Sequence, residues 1–353
     1  MDTTGTVAIT GATGFLGQYL TEALLAAGYR VRVLARDSVK AQTLAERVER
    51  LEVGDINDRA AMDRLVAGAG AVIHLVSNFR TASGPPASYR TINVEGTRTA
   101  LDAAQRAGVR RFVFCSTIGV HGHVHNTPAD EKAPYNPGDL YQSTKMQAEE
   151  LCLARAGRCP MEIVVARPCS QYGPGDLRML KLFRMLEKRH FLMLGPCREN
   201  FHAVYIDDVV DGFLRLITTP GIDGEAFILG GPDYQPLQEY IASAARAVGA
   251  PPPSLRLPYW PFYAASVVCE AACVPLRIEP PLHRRRLRFF RNNRAFSLCK
   301  ARDVLGYQPR VSLEEGFART VAWYREHGYL SPYTRNPATT TAAVDDRTER
   351  HTP

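Results

Sequence analysis

The sequence predicts a doubly wound α/β fold, in which helices cover both faces of a parallel sheet, followed by a smaller C-terminal lobe. Short apolar runs of strand type alternate with helical patterns up to about residue 166, as successive βαβ units do. With 353 residues, the chain can bury one full α/β core and still build a second lobe. Hydrophobic residues form 45% of the chain and charged residues 22%, which is typical of a globular protein.

The first predicted strand, at 6–10, runs directly into a turn with three evenly spaced glycines, and a helical pattern follows. Gly11 can adopt the dihedrals of a tight turn, Gly14 lets a pyrophosphate approach the main chain, and Gly17 lets the helix pack on the strand. The helix N-terminus offers N–H groups to the anion. This arrangement predicts a Rossmann-type dinucleotide-binding domain. We assign cofactor contacts here to Gly11, Thr13, Gly14, Phe15, Leu16 and Gly17.

The same alternation predicts the other elements of the first domain. Further strands are predicted at 30–35, 50–53, 71–76, 111–116 and 162–166, and helices near 15–27, 38–48, 57–67, 89–107 and 139–157. We expect a nucleotide-binding domain at 1–169, with 201–224 returning to it. The segments 170–200 and 225–332 are expected to form the substrate-binding lobe. The tail at 333–353 has few large apolar residues, so we expect it to be disordered.

The end of the second strand indicates which dinucleotide is preferred. A carboxylate about 20 residues past the glycine turn would bind the ribose 2′-hydroxyl of NAD. Counted from Gly17, that position falls on Ala35, and Arg36 follows it. A small neutral residue beside a guanidinium favours the 2′-phosphate of NADP, although the nearby Asp37 keeps NAD as the alternative.

Ligands gather outside the carboxyl ends of parallel strands, so the residues that follow the third and fourth strands are further candidates. Asp55 could accept a hydrogen bond from the adenine amino group, or it could cap the next helix. His74, inside an apolar run, is more typical of a core histidine than of a base. Asn93 could brace a neighbouring strand end. The cofactor contacts expected in this region are Asp55, Ile56, Leu75, Val76, Ser77 and Asn93.

A tyrosine and a lysine at helical spacing provide the candidate chemistry. Tyr141 and Lys145 are four residues apart on a predicted helix and therefore share one face. A phenol ionises near pH 10 in water, and a neighbouring ammonium together with a positive nicotinamide ring should lower that value. Thr117, at the end of the fifth strand, could orient the reacting oxygen. These groups can move a proton at an alcohol while a hydride is transferred.

Taken together, these motifs resemble the extended short-chain dehydrogenases/reductases, of the NAD-dependent epimerase/dehydratase and 3β-hydroxysteroid dehydrogenase kind, over about residues 5 to 332. The motifs follow the family's order: TGATGFLG, GDI, VIHLVS, FCST, YQSTK, ARPCSQYGPGD and FHAVYIDDVVDGF. The resemblance implies that Tyr141 is the catalytic acid/base, that Lys145 binds the ribose, and that Asp207 caps a helix. It also implies cofactor contacts from Cys115, Ser116, Tyr141, Lys145, Arg167 and Pro168.

Departures from the family pattern bear on the substrate. Ser170 stands where sugar-nucleotide members commonly have Asn, and Ile118-Gly119 stands where dehydratases have Asp-Glu. The apolar stretch Trp260–Leu276 resembles the sterol and lipid branch. We therefore expect an NAD(P)(H)-dependent enzyme that interconverts a secondary alcohol and a ketone on a hydrophobic small molecule, such as a sterol, polyketide or lipid. A nucleotide-sugar 4-epimerase or reductase and a non-catalytic NADP-binding regulatory protein are the alternatives.

Charge, cysteines and histidines complete the sequence-based expectations. Much of the net charge of +7 lies in the run 283–294, which we interpret as a solvated helix face rather than a site for nucleic acid, an anionic membrane surface or an anionic substrate. Eight scattered cysteines and no secretory signal indicate a cytoplasmic protein with free thiols. His121, His123 and His125 alternate, but we expect no metal. Peripheral membrane contact is not favoured, and a homodimer through the helices that carry Asn93 and Tyr141 is expected from the resemblance.

Overall fold

The computed structural model describes residues 5–79, 86–273, 280–282 and 284–332. The predicted tail at 333–353 and the end of the apolar stretch, at 274–276, lie outside the described residues. Within the described ranges, no helix is both long enough and apolar enough to cross a membrane.

A seven-stranded parallel sheet forms the centre of the molecule. Six further short strands lie outside this sheet in the described residues. In chain order, all of these strands are Thr6–Thr10 (β1), Arg30–Ala35 (β2), Arg50–Val53 (β3), Ala71–His74 (β4), Arg111–Cys115 (β5), Glu162–Pro168 (β6), Ser170–Tyr172 (β7), Met193–Leu194 (β8), Asn200–Phe201 (β9), Ala203–Tyr205 (β10), Ala226–Leu229 (β11), Gln235–Pro236 (β12) and Arg256–Leu257 (β13). The sheet has the order β11-β6-β5-β4-β1-β2-β3, and every neighbouring pair is parallel. The predicted fold class is confirmed.

Helices alternate with the strands of the central sheet. In chain order they are Phe15–Ala26 (α1), Ser38–Ala45 (α2), Arg59–Val66 (α3), Ala87–Arg90 (α4), Gly96–Arg106 (α5), Leu140–Leu153 (α6), Leu180–Glu187 (α7), Ile206–Thr218 (α8), Leu237–Ala247 (α9), Tyr259–Cys273 (α10), Arg284–Leu287 (α11), Cys299–Leu305 (α12) and Leu313–Glu326 (α13). A π-helical turn, Thr91–Glu95, joins α4 to α5. Such turns are rare and occur frequently at functional sites.

The sheet separates two apolar cores because successive side chains of a strand point to opposite faces. In β1, Val7 and Ile9 belong to the core under α1 and α8. Ala8, between them, belongs to the core under α3, α5 and α6. Both faces of the sheet are therefore covered by helices.

Side chains at the helix N-termini differ in part from what the sequence predicts. Asp58 caps α3 by accepting from the Ala61 N–H at 3.1 Å, so the helix-cap alternative for Asp55 is wrong. The N-cap of α8 is Tyr205, and Asp207 lies inside the first turn instead. The Asp207 carboxylate makes no cap hydrogen bond, but its negative charge near the N-terminus of α8 interacts favourably with the positive end of the helix dipole.

The predicted lobe is not entirely separate from the sheet. The strand β11, Ala226–Leu229, extends the central sheet by pairing with β6, although we expected residues 225–332 in the lobe. The four residues of β11 are all buried, because the strand pairs with the edge of the central sheet instead of packing in the lobe. The short pairs β8–β13 and β9–β12, with α9 and α10, lie beyond it.

Candidate active site

The glycine turn between β1 and α1 is shaped by contacts that no other residue would allow. Gly11 has φ +83°, and a Cβ there would lie 3.0 Å from the Val76 nitrogen. A Cβ on Gly17 would lie 2.2 Å from the Gly11 oxygen. Gly14 is the N-cap of α1, and no side chain caps the helix. The turn thus presents bare main chain and a helix N-terminus, which fit a dinucleotide pyrophosphate.

The side chains that follow the turn have different surroundings. Leu16 is buried in the core, so its contribution to a cofactor is limited to the main chain. The Phe15 ring is half-buried, and the Arg178 guanidinium lies 5.3 Å from its centroid. Arg178 also forms an ion pair with Asp176 at 2.7 Å. Arg178 could not be identified from the sequence, because it lies on a loop more than 160 residues from the glycine turn in the chain and reaches that turn only in the folded protein.

At the ends of β2 and β3, the candidate cofactor residues face the surface to different degrees. Ala35 is buried and Arg36 is exposed. The Asp37 carboxylate accepts a hydrogen bond from the Val39 N–H at 3.0 Å. Asp55 is exposed and accepts from Asn57, whereas the Ile56 side chain packs in the core against the position of Gly96. A cofactor can therefore meet Ile56 only through its main chain.

The end of β4 lies against the glycine turn and reaches the candidate catalytic helix. The Leu75 N–H donates to the Thr10 oxygen at 3.0 Å, and a Cβ on Gly11 would touch both Leu75 and Val76. The Ser77 side chain hydrogen-bonds to Tyr141. Ser77 is thus placed between the cofactor turn and α6.

His74 has the core role that its apolar surroundings predict. Its Nδ1 lies 2.7 Å from the Thr10 hydroxyl, and its Nε2 lies 3.0 Å from the Thr97 hydroxyl. Burial lowers the pKa of His74 to about 3, and the nearby Lys145 charge adds to this effect. The ring is therefore neutral at physiological pH and does not serve as a base.

Tyr141, at the start of α6, has a pKa that differs from the sequence-based expectation. Burial of the hydroxyl raises the pKa of Tyr141 above its ordinary value of 10. The Arg178 charge and the Ser77 hydrogen bond oppose that shift, but they do not reverse it. Among the protein's own groups, burial therefore outweighs the nearby positive charge, and the lowering expected from Lys145 together with a nicotinamide ring stays a prediction. The Phe79 ring packs edge-on against Tyr141 with the centroids 4.7 Å apart.

Lys145 lies one turn further along α6 and is almost completely buried. Its Nζ is 4.1 Å from the centroid of the Phe114 ring. Burial lowers the pKa of the Lys145 ammonium, while the nearby Cys115, Cys152 and Glu149 raise it in part. The Cys115 thiol interacts electrostatically with both Tyr141 and Lys145, so the end of β5 and the start of α6 converge.

Two neighbouring hydroxyls at the end of β5 point to different partners. The Thr117 hydroxyl accepts from the Gly119 N–H at 3.0 Å and caps a 3₁₀ turn beside Gln142. The Ser116 hydroxyl is buried and donates to Glu149. The Ser116 side chain is therefore engaged within the protein, although we expected it to contact the cofactor.

A model of the NAD dependent epimerase/dehydratase family matches residues 7–230, from the glycine turn through Tyr141 and Lys145 to β11. The chain belongs to this family. The expected relationship to extended short-chain dehydrogenases/reductases is confirmed, as is the expectation of an NAD(P)-dependent enzyme.

Relatives of this family member include enzymes for two kinds of substrate. The chain is 29% identical over 349 residues to a 3-beta-hydroxysteroid dehydrogenase of Mycolicibacterium neoaurum, with 91% of this chain and 92% of the relative covered. It is 31% identical over 334 residues to a UDP-glucose 4-epimerase of Mycolicibacterium smegmatis, with 90% and 97% covered. A solved dTDP-glucose 4,6-dehydratase, DesIV from Streptomyces venezuelae with NAD and TYD bound, has a TM-score of 0.73 and 25% identity, with 93% and 99% covered.

In this epimerase/dehydratase family member, a buried charged network lies directly behind the candidate site. Glu149 is fully buried and accepts from the Arg167 Nε at 3.0 Å and from the Tyr135 hydroxyl at 2.7 Å. The Arg167 guanidinium also donates to the main-chain carbonyl oxygen of Glu131 at 2.7 Å and lies 3.1 Å from the His121 Nε2. The Arg167 side chain is thus committed to this network, although we expected it to contact the cofactor. Pro168, next to it, is buried in β6.

Glu149 is a site residue that the sequence analysis missed. The signal was present, because Glu149 follows Lys145 by four residues and therefore shares its helix face. The chain presents a phenol, an ammonium and a carboxylate on consecutive turns of α6. The carboxylate faces the Ser116 hydroxyl and the Arg167 guanidinium, away from the solvent.

Asn93, in the π-helical turn, braces the end of β4 against α6 through its side chain. Its Oδ1 accepts from the Asn78 N–H at 2.6 Å, and its Nδ2 donates to the Thr144 hydroxyl at 2.9 Å. Both ends of the buried amide are therefore engaged by protein groups. Asn93 ties the loop after β4 to the turn of α6 between Tyr141 and Lys145, in keeping with the bracing role expected from the sequence, and its contact with a cofactor stays a prediction.

The three alternating histidines have separate surroundings. His121 is buried between Arg167 and the Pro134 oxygen, and burial, followed by the Arg167 charge, lowers its pKa. His123 Nδ1 accepts from the Asn293 N–H at 3.0 Å, and its ring contacts that of His125. Among the described residues, no group of three or more His, Cys, Asp or Glu side chains could hold a metal ion.

Proposed function

We propose that the protein interconverts a secondary alcohol and a ketone on a hydrophobic substrate, with NADP(H) as the hydride carrier. The observation that supports this most strongly is the setting of Tyr141. Its phenol has a raised pKa, lies against the Phe79 ring, and has Cys115 as a neighbour in common with Lys145. A phenol that stays protonated is suited to give a proton to a carbonyl oxygen.

The roles of the protein groups follow from this setting. Bound NADPH supplies the hydride for reduction, and NADP⁺ accepts it in the reverse direction. Tyr141 donates its phenolic proton to the carbonyl oxygen, so that hydride and proton together convert the ketone into an alcohol. Lys145 stabilises the phenolate that remains, and the Thr117 hydroxyl orients the substrate oxygen. The glycine turn and the N-terminus of α1 hold the pyrophosphate.

Two features support NADP over NAD. Arg36 is exposed at the end of β2, where a 2′-phosphate would bind, and the preceding Ala35 leaves room for it. The neighbouring carboxylate of Asp37 accepts from the Val39 N–H within its own loop. A guanidinium is thus the charged group best placed for the adenosine ribose.

A partly exposed aromatic ring on the phenol, and exposed leucines next to Tyr141 and Arg178 in the chain, support a hydrophobic substrate. Phe79, Leu140 and Leu177 are large apolar residues whose side chains are 37%, 43% and 50% exposed. Phe79 contacts Tyr141, Leu140 precedes it, and Leu177 precedes Arg178, whose charge acts on Tyr141. The steroid dehydrogenase relative agrees with this preference.

The nucleotide-sugar epimerase relative supports a second candidate, a 4-epimerase or reductase acting on nucleotide sugars. Such an epimerase would regenerate its cofactor within each cycle and consume no NADPH. A non-catalytic NADP-binding role is the third candidate, and the paired Tyr141 and Lys145 count against it. Cytoplasmic location and a homodimer stay predictions.

The decisive experiment follows NADPH and NADH absorbance over a panel of steroid, polyketide and lipid ketones, with UDP-glucose as the rival substrate. We expect turnover of a hydrophobic ketone with NADPH. Tyr141→Phe should lower kcat by about a hundredfold or more and leave the NADPH Kd unchanged. Tyr329→Phe, on the C-terminal segment, is the matched control and should retain full activity. Wild-type activity in Tyr141→Phe would refute the assignment of Tyr141 as the acid.

A further inference from the structure

The helix α10 is apolar on both faces, and within the part of the chain that the structure describes only one of them is covered. Tyr259, Phe262, Tyr263 and Ser266 turn inward, where the aromatic residues pack with Leu194 and Leu287. The opposite face presents Trp260 and Val268, which are 66% and 69% exposed, and Val267, which is 41% exposed. The remaining exposed positions on this face are Pro261, Ala264, Ala265, Ala271 and Ala272. A helix that is hydrophobic all round is normally buried, so the exposed face calls for an apolar partner.

The charges beside this face are positive. Glu270 is the acidic residue of α10, and it is neutralised by an ion pair with Arg284 at 2.7 Å. Arg288 and Arg291 follow in the next turns and are exposed. The Arg291 guanidinium lies 5.5 Å from the centroid of the Tyr259 ring and 6.0 Å from that of Trp260. An apolar face with aromatic residues and arginines at its margin is typical of helices that lie in a membrane interface.

We propose that α10 docks on the surface of an anionic lipid bilayer, with Trp260 and Val268 in the acyl boundary and Arg288 and Arg291 at the headgroups. The helix has 15 residues, which suits it to lie in the interface. Anionic headgroups would neutralise the two arginines. A second copy placed symmetrically on the same face would instead bring these arginines together, which is unfavourable. The sequence alone leaves peripheral membrane contact possible without favouring it, and this proposal departs from that preference.

This surface is connected to the candidate active site. Arg288 donates to the Gly138 oxygen, one residue before Asp139, the N-cap of α6. Leu140 and Tyr141 follow at once on that helix. Docking through α10 would therefore place the bilayer on the side of the molecule where a hydrophobic substrate would be taken up. The docking itself does not depend on the proposed reaction.

Vesicle flotation tests the proposal with the full chain. We expect wild-type protein to float with vesicles made of equal parts phosphatidylcholine and phosphatidylglycerol, and to float less with phosphatidylcholine alone. Val268→Glu should lower the partition coefficient by about tenfold or more, and Arg291→Gln by about fivefold. Val304→Glu and Arg302→Gln, on exposed positions of α12, are matched controls and should float like wild type.

Fluorescence reports the contact directly, since the chain has two tryptophans. In a Trp323→Phe background, Trp260 is the remaining reporter, and its emission should shift to shorter wavelength when anionic vesicles are added. The proposal is overturned if wild type fails to float, if Val268→Glu floats as well as wild type, or if Val268→Glu abolishes self-association without any vesicle binding. NADPH binding by each variant verifies folding, and neither assay requires turnover.

Discussion

At the residue scale, the raised pKa of Tyr141 determines how the reaction should depend on pH. A phenol whose pKa lies above 10 is protonated throughout the neutral range. Ketone reduction uses the protonated form, so its kcat should be nearly constant from about pH 6 to about pH 9. Alcohol oxidation uses the phenolate, so its kcat should rise with pH over the same range. Steady-state rates in both directions, measured with saturating cofactor, test this expectation.

Replacing Arg178 tests the cause of this pH dependence, because its positive charge lowers the pKa of Tyr141 against the larger effect of burial. Arg178→Gln should move the rise in the oxidation rate to higher pH, because a stabilising charge for the phenolate is lost. A shift to lower pH would contradict the proposed electrostatics.

Cofactor choice is also a property of single residues. Arg36→Ala should raise the KM for NADPH by about tenfold, because the 2′-phosphate loses a charge-assisted hydrogen bond, and should leave the KM for NADH nearly unchanged. Arg30→Ala is the matched control, since Arg30 is an exposed arginine at the opposite end of the same strand. An equal loss for both cofactors would show that Arg36 does not contact the 2′-phosphate.

Residue types and spacings could be predicted from the sequence, but side-chain directions could not. The spacing of Tyr141 and Lys145 places them on one helix face whatever the tertiary contacts are. Ser116 and Arg167 were expected to contact the cofactor, yet both turn toward Glu149. The buried Glu149 carboxylate determines these side-chain directions, because a buried charge is costly unless it is hydrogen-bonded. Glu149 lies on α6, whereas Ser116 follows β5 and Arg167 lies on β6.

At the scale of elements, α6 is stabilised by the ion pair between Glu149 and Arg167, whose side chains are fully and almost fully buried. Glu149→Gln leaves the Arg167 charge inside the protein without its counterion. It should lower the free energy of unfolding by about 3 kcal/mol. Glu150→Gln changes the next, exposed residue and should cost less than about 0.5 kcal/mol. Urea denaturation of both variants measures the difference.

Equal midpoints of Glu149→Gln and wild type would contradict a stabilising role for this pair. If NADPH binding also survives in Glu149→Gln while kcat falls, Glu149 would act as a positioning residue through Ser116 and the end of β5. Activity and stability are therefore best measured on the same preparations.

Most strands and helices of the first domain could be predicted because local pattern and tertiary packing agree there. The strand at 30–35 and the helix that starts at Phe15 lie where the periodicity places them. The π-helical turn at Thr91–Glu95 could not be predicted, since its sequence differs little from that of an ordinary helix. In this turn the Asn93 side chain hydrogen-bonds to both Asn78 and Thr144, which are contacts between distant segments that the local sequence does not reveal.

At the scale of the whole molecule, composition does not distinguish a covered apolar helix from an exposed one. The stretch from Trp260 is apolar in sequence, and only the packed structure shows which of its side chains find partners. The same limit applies to Ala226–Leu229, whose apolar run fits either the lobe or the sheet edge. Both outcomes depend on contacts between segments that are distant in the chain.

The close approach at Gly17 has a mechanical consequence. Because the first helix touches the main chain of the turn without intervening side chains, the two cannot move independently. They behave as one rigid body that meets the dinucleotide in a preset shape. Any rearrangement during turnover must then come from segments other than β1, the glycine turn and α1.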